Sequence, residues 1–201
     1  MTDAYRFDES STEQAIAYAK IYAGENYSPA METVLKVAFS EKRNLPTFRL
    51  KSSDTILLSG YMKKWVGAYL AGYNNRPSVR TGNCSGTHPD PMAKTILRAR
   101  ISGLEDNLAD KIVARHSLLM TIENNIGELL EEYLSVKLSP LGWYCCWGST
   151  IDAVDFCKAD GSLLQIKTSD NSENSSSSRV RQGTPIGKWF RRFSRLSLIH
   201  I

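Results

Sequence analysis

The sequence predicts an α/β protein of the α+β kind, a helix-rich first part followed by a short β unit, and three observations carry the prediction. Between residues 10 and 75 apolar residues recur at helical spacing behind recognisable helix starts. A longer amphipathic stretch, His116 to Leu138, is stopped by Pro140-Leu141-Gly142. Beyond it lie three short runs rich in aromatic and β-branched residues, the last two joined by Asp160-Gly161.

Taken in order, Ser11-Thr12-Glu13-Gln14 reads as a helix start leading into AIAYAKIYA, and Ser28-Pro29 opens METVLKVAF with proline near the first turn. A third helix is expected from Asp54 to Leu70. The run from Tyr73 to Pro91 is dense in Asn, Gly, Ser and Pro and predicts a long loop. Helices resume at Met92–Arg100 and Asp106–Arg115. In the helix over 116–138, Ile122, Ile126, Leu129, Leu130 and Tyr133 form one apolar stripe. Strands are expected at Trp143–Gly148, Ile151–Cys157 and Leu163–Thr168, then a Ser/Asn-rich loop, TSDNSENSSSS, and a helix around Ile186–Phe193. The chain thus divides into a helical N-terminal region, 1–115, and a mixed region, 116–195.

A chain of 201 residues with 42% apolar content can bury a sizeable core, as one large domain or one domain with a helical extension. No run of eighteen apolar residues occurs, and the start MTDAYRFDESSTEQ is acidic where a signal peptide is basic and then apolar. A cytoplasmic protein without a membrane partner is the expectation. Cys84, Cys145, Cys146 and Cys157 lack C-x-x-C spacing, which predicts buried reduced thiols in place of zinc ligands or disulfides.

Charge is informative by position. From Lys167 onward there are seven basic residues against Asp170 and Glu173, whereas the preceding chain holds 18 Lys and Arg against 19 Asp and Glu. A positive end of this kind suits a polyanion such as DNA, or equally a solvated basic face. The last six residues, Leu196 to Ile201, resemble the translation of a transposon end used to fragment DNA for sequencing. They are set aside from fold reasoning, and different residues are expected to follow Arg195 in the natural protein.

The chemistry gathers in the β unit. On the second expected strand Ala153 and Asp155 share a face, with Val154 and Phe156 turned to the core; on the third, Leu164 and Ile166 are the expected buried pair, so Gln165 and Lys167 emerge together. A hairpin of these strands brings Asp155, Gln165 and Lys167 to one place. Phosphodiester hydrolysis uses such a cluster, because a hard divalent cation takes oxygen ligands and a neighbouring ammonium orients the attacking water.

The pattern Asp155-x9-Gln165-x-Lys167, within ENNIGELLEEYLSVKLSPLGWYCCWGSTIDAVDFCKADGSLLQIK, resembles the helix, strand and hairpin of the PD-(D/E)xK nuclease core. The segment QIKTSDNSENSSSSRVRQGTPIGKWFR is similar to type II restriction endonucleases of the SinI kind. The resemblance implies a Mg²⁺-dependent site-specific endodeoxyribonuclease acting as a homodimer, paired functionally with a DNA methyltransferase, and GGWCC as its site. It implies Asp155, Gln165 and a helix glutamate as metal ligands and Lys167 as the catalytic lysine. Glu123 is the first choice of glutamate, because Glu123-x5-Leu129-Leu130-Glu131 resembles the helix of resolvase-like members; Glu128 is the alternative. Val154 replaces the eponymous proline. Gln165, a weaker ligand than a carboxylate, throws more weight on the helix glutamate. Since the family core adds a helix and a strand after the third strand, the core is expected to be C-terminally truncated and incomplete.

For recognition, Arg179 and Arg181 suit guanine, Asn171 and Asn174 suit adenine, and Glu173 suits cytosine N4. Lys188, Arg191 and Arg192, interleaved with Trp189 and Phe190, suit phosphate anchoring. Two other readings stay open: another nuclease of the same core, of resolvase or repair type, and a DNA-binding protein whose site is catalytically dead because of Gln165.

Overall fold

The computed structural model describes residues 7, 9–48, 57–80, 91–168 and 185–191, with backbone alone at 91, 117, 119–121, 123, 124, 168, 190 and 191. Three helices open the fold: α1 (Thr12–Ala23), α2 (Pro29–Ser40) and α3 (Leu58–Asn74). Ser28, extended at φ −135°, starts α2 by accepting the Met31 N–H at 3.2 Å, with Pro29 in the first turn. Buried residues on α3 (Tyr61, Met62, Trp65, Val66, Tyr69) recur at three to four, the pattern of one face sunk in a core. On α1 the buried residues are Ala15, Ala19 and Ala23, whose small side chains let α1 lie close on α3.

The helices cover a sheet of four strands among the described residues, β1 (Trp143–Cys145), β2 (Phe156–Lys158), β3 (Leu163–Thr168) and β4 (Ile186–Arg191), in that order. The first two pairings are antiparallel, with Cys145 opposite Phe156 and Phe156 opposite Leu164. The third is parallel, from Leu163 with Ile186 to Thr168 with Arg191. One apolar core joins the α1, α2 and α3 faces to Cys146, Ile151, Val154, Cys157 and Leu163.

Several expectations are corrected. The helix expected at Ile186–Phe193 is strand β4; Ile186, Trp189 and Phe190 favour extended backbone, and the free edge of β3 supplies the partner for a six-residue ladder. A fourth strand therefore follows the third among the described residues. The helices expected at Asp106–Arg115 and 116–138 are one helix, α5 (Asp106–Leu138), because no breaker separates them. The third helix runs on to Asn74, through Gly72. The first two strands are short, Ile151–Asp155 being a turn that carries Ala153 at φ 57°. On β3 the buried residues are Leu163 and Gln165 while Leu164 and Ile166 are half-buried, since an interior strand is covered on both faces. The α5 stripe, expected to be buried, leaves Ile122, Leu129 and Tyr133 exposed.

The chain divides into two compact units. Residues 1–76 with 131–201 hold α1, α2, α3 and the sheet. Residues 77–130 hold α4 (Pro91–Arg100) and the first part of α5, tied by surface pairs: Lys94 to Asp110 at 2.8 Å, Arg98 to Asp106 at 2.7 Å and Arg80 to Glu128 at 3.0 Å. Exposed pairs of this kind contribute little each, about 0–1 kcal/mol.

Candidate active site

The segment from Cys146 to Asp155 is fixed to the helical layer at three points. Gly148, at φ 69°, passes so near α3 that a Cβ would lie 2.0 Å from the Ala68 carbonyl oxygen, and a Cβ on Gly72 would lie 2.4 Å from the Gly148 nitrogen. Only glycine fits at either place. The Trp65 indole N–H donates to the Thr150 carbonyl at 2.9 Å, in the buried core. The Asp152 N–H donates to the Asn44 carbonyl at 2.9 Å, and the buried Asn44 amide donates in turn to the Val37 carbonyl. Ser149 and Ala153 are held at positive φ without being glycine, local strain that these anchors sustain.

The segment delivers Asp155 between two strands. Its carbonyl accepts the Cys146 N–H at 2.8 Å on the β1 side, and its own N–H donates to the Leu164 carbonyl at 3.0 Å on β3. The side chain then reaches along β3, where Oδ2 accepts the Ile166 N–H at 2.6 Å. That amide belongs to the residue between Gln165 and Lys167, so the Asp155 carboxylate is held against the stretch of β3 that carries both. Gln165 and Lys167, two apart on one strand, share a face. Gln165 is 5% exposed and its Oε1 has no hydrogen-bond partner among the described residues. A buried acceptor without a donor is a condition in which a cation can take the donor's place. The donors are oxygens, which suits a hard divalent ion. Among the described residues no three His, Cys, Asp or Glu side chains gather as a metal site.

Register adds Lys188, which lies opposite Gln165 on β4 and is exposed on the same face. It was expected on a helix. Arg191 ends β4 opposite Thr168. Asn171, Glu173, Asn174, Arg179, Arg181 and Arg192 lie outside the described residues. Glu123 is on α5, its side chain outside them as well; Glu128 is exposed and paired with Arg80.

A glutamate not singled out as a ligand in the sequence, Glu131, lies in the compact unit that holds the sheet. The Cys145 thiol is pushed up first by burial and then by the charges of Glu131 and Asp155, so both carboxylates lie within electrostatic reach of one β1 sulfur. Glu131 is half-buried. The signal for it was the end of the E-x5-L-L-E pattern, read from its other glutamate.

Residues 52–197, well over half the chain, match the family model for the SinI restriction endonuclease. The class is thus the restriction endonucleases. Within it, the chain belongs to the SinI restriction endonuclease family. Over 114 residues it is 46% identical to the type II restriction enzyme SinI of Salmonella infantis and 44% identical to the type II restriction enzyme Eco47I of Escherichia coli. Each match covers 54% of this chain and 49% of the relative, so the chain spans about half the length of the curated relatives it matches. No helix among the described residues is long and apolar enough to cross a membrane.

Proposed function

We propose that the chain carries the catalytic centre of a Mg²⁺-dependent type II endodeoxyribonuclease, working as a homodimer in a restriction system beside a DNA methyltransferase, with GGWCC as its site. The observation that supports this reading is the Asp155 carboxylate held on the Ile166 amide of the strand that carries Gln165 and Lys167, together with the buried, unpartnered Gln165 oxygen. In this reading Asp155 and Gln165 offer two oxygen ligands, and a helix glutamate completes the negative charge that neutral Gln165 lacks. Glu131 is preferred to Glu123 for that place because it is half-buried and belongs to the compact unit that holds the sheet. Bound Mg²⁺ supplies Lewis-acid polarisation of the scissile phosphate. Lys167 hydrogen-bonds the attacking water and balances charge at the phosphate, and Lys188 holds a phosphate oxygen from the neighbouring strand. The homodimer reading draws support from a row on α5, Leu118, Ile122, Leu129, Tyr133 and Val136, all exposed and confined to one side of the helix.

The test is plasmid DNA carrying GGWCC, incubated with the protein in Mg²⁺ and in EDTA, and again with Asp155→Ala. Discrete bands that need Mg²⁺ and vanish with Asp155→Ala are expected. Bands that survive the substitution overturn the site. The second reading, binding without cutting, is favoured by the amide at position 165; it predicts a retarded but intact DNA band with the unaltered chain.

A further inference from the structure

A cavity of about 460 Å³ opens between the α1–α2 connection, the end of α3, the end of α5 and β1. Its walls include six aromatic rings, those of Tyr27, Tyr69, Tyr73, Trp143, Tyr144 and Trp147. Polar groups interrupt them, among them Glu25, Asn26 and Ser135. None of the described lining residues is basic. Cations stand instead against the outer rings: the Lys20 Nζ lies 5.6 Å from the Tyr27 ring centre, the Lys158 Nζ 5.1 Å from that of Trp143, and the Arg76 guanidinium 4.2 Å from that of Tyr73. Arg76 also pairs with Glu132 at 3.3 Å, which leaves Lys20 and Lys158 as the main sources of positive field there.

We infer that this cavity receives an unstacked nucleobase of the DNA strand the protein acts on. The charge pattern selects the occupant. An interior of aromatic rings, amide and hydroxyl groups and the Glu25 carboxylate, with no cation, repels a phosphate but accommodates a heterocycle, while the cations at the ring walls attract the phosphates on either side of it. Glu25 and Asn26 offer an acceptor and an amide for a base's exocyclic groups. The volume falls within the range of sites that enclose small ligands and exceeds what a single aromatic side chain from a neighbour would fill. The rings are preorganised without it: Tyr73 meets Trp147 edge-on at 5.9 Å, Tyr69 stacks on buried Trp65 at 5.8 Å, and the Tyr27 hydroxyl donates to Glu32 at 2.7 Å. The inference rests on the reading of the chain as a DNA-acting protein and adds a base-binding subsite to it.

The experiment compares a fluorescent single-stranded oligodeoxyadenylate with a strand of equal length whose sugars are all abasic, by anisotropy at low salt. Both carry the same phosphates, so any difference in affinity belongs to the bases. The base-bearing strand is expected to bind at least about fivefold tighter, the lower end for one stacked base. Tyr73→Ala, at a 44% exposed position, and Ser139→Phe, which fills the cavity from its exposed rim, should each abolish that preference while leaving abasic binding unchanged. Equal affinity for the two strands overturns the pocket and leaves the nuclease reading standing, as does a base preference that survives both variants. Loss of binding to both strands, with plasmid cleavage absent too, overturns the pocket together with the DNA reading. Circular dichroism of each variant separates loss of the site from loss of the fold.

Discussion

Gly148 shows how tightly single residues govern this site. Its backbone is left-handed and the space for a side chain is occupied by the Ala68 carbonyl oxygen at 2.0 Å, a main-chain atom that cannot swing aside. Gly148→Ala is therefore expected to lower stability by several kcal/mol, beyond the ~1 kcal/mol typical of a change at an ordinary position, as read from the denaturant midpoint. Gly67→Ala, with nothing within 4 Å of a new Cβ, is the contrasting case and should stabilise α3 slightly. A chemical prediction belongs to the same scale. Burial drives the thiols of Cys145 and Cys146 well above their usual range, so both stay protonated in the folded protein. Native protein at pH 8 should resist iodoacetamide at these two positions, whereas urea-unfolded protein reacts. Since the folded thiols titrate above the unfolded ones, their contribution is complete below about pH 8.5 and is lost as the pH rises past it. The melting temperature should consequently fall on the alkaline side, and less steeply in Cys146→Ala. Substantial labelling of either native thiol would contradict the packing of the sheet on its helices.

Among the elements, α3 is the one that sets the segment leading to Asp155. Trp65 is fully buried and its indole holds the Thr150 carbonyl, five residues ahead of Asp155. Trp65→Phe keeps most of the apolar contact but leaves a buried carbonyl unpaired, at a cost of about 1–3 kcal/mol. Cleavage of plasmid at a temperature where the variant is still folded should drop more than its folded fraction does; an unchanged specific rate would show that Asp155 is placed without this anchor. None of this could be read from the sequence, where Trp65 was only an apolar position of an expected helix. What could be read was local. The cap at Ser28, the Asp160-Gly161 turn and the pairing of the Asp155 segment with β3 all follow from short-range spacing, and the structure contains each of them. The face assignments on β3 failed because alternation does not tell which side a central strand buries more deeply. The run IGKWFR looked helical because basic residues interleave with apolar ones at a spacing both structures accommodate. Only the β3 edge, a non-local partner, decides for a strand.

On the scale of the whole molecule, α5 bears the feature least explained by the chain alone. Leu118, Ile122, Leu129, Tyr133 and Val136 are 44–67% exposed and fall within one arc of the helix. A palindromic duplex presents two equivalent phosphodiesters, so an enzyme that cuts both strands gains from a two-fold pair of copies, and a self-complementary apolar row is what such a pair shares. Glu131 lies about 200° around the same helix from Leu129 at the usual 100° per residue, so the apolar row and this carboxylate occupy different sides of the helix. If copies associate through the row, Leu129→Asp should convert a dimer to a monomer in sedimentation velocity. Melting should change little, because that side chain is already half in water. Double-strand cleavage should then fall while nicking of one strand persists, since each copy keeps its own Asp155, Gln165 and Lys167. A monomer before the substitution, or a dimer indifferent to it, would move the association surface elsewhere. Glu131→Gln and Glu123→Gln complete the comparison on the same helix. With the dimer intact in both, the variant that loses Mg²⁺-dependent cutting by a hundredfold or more identifies the glutamate that serves the metal, and Glu131→Gln is expected to be that variant.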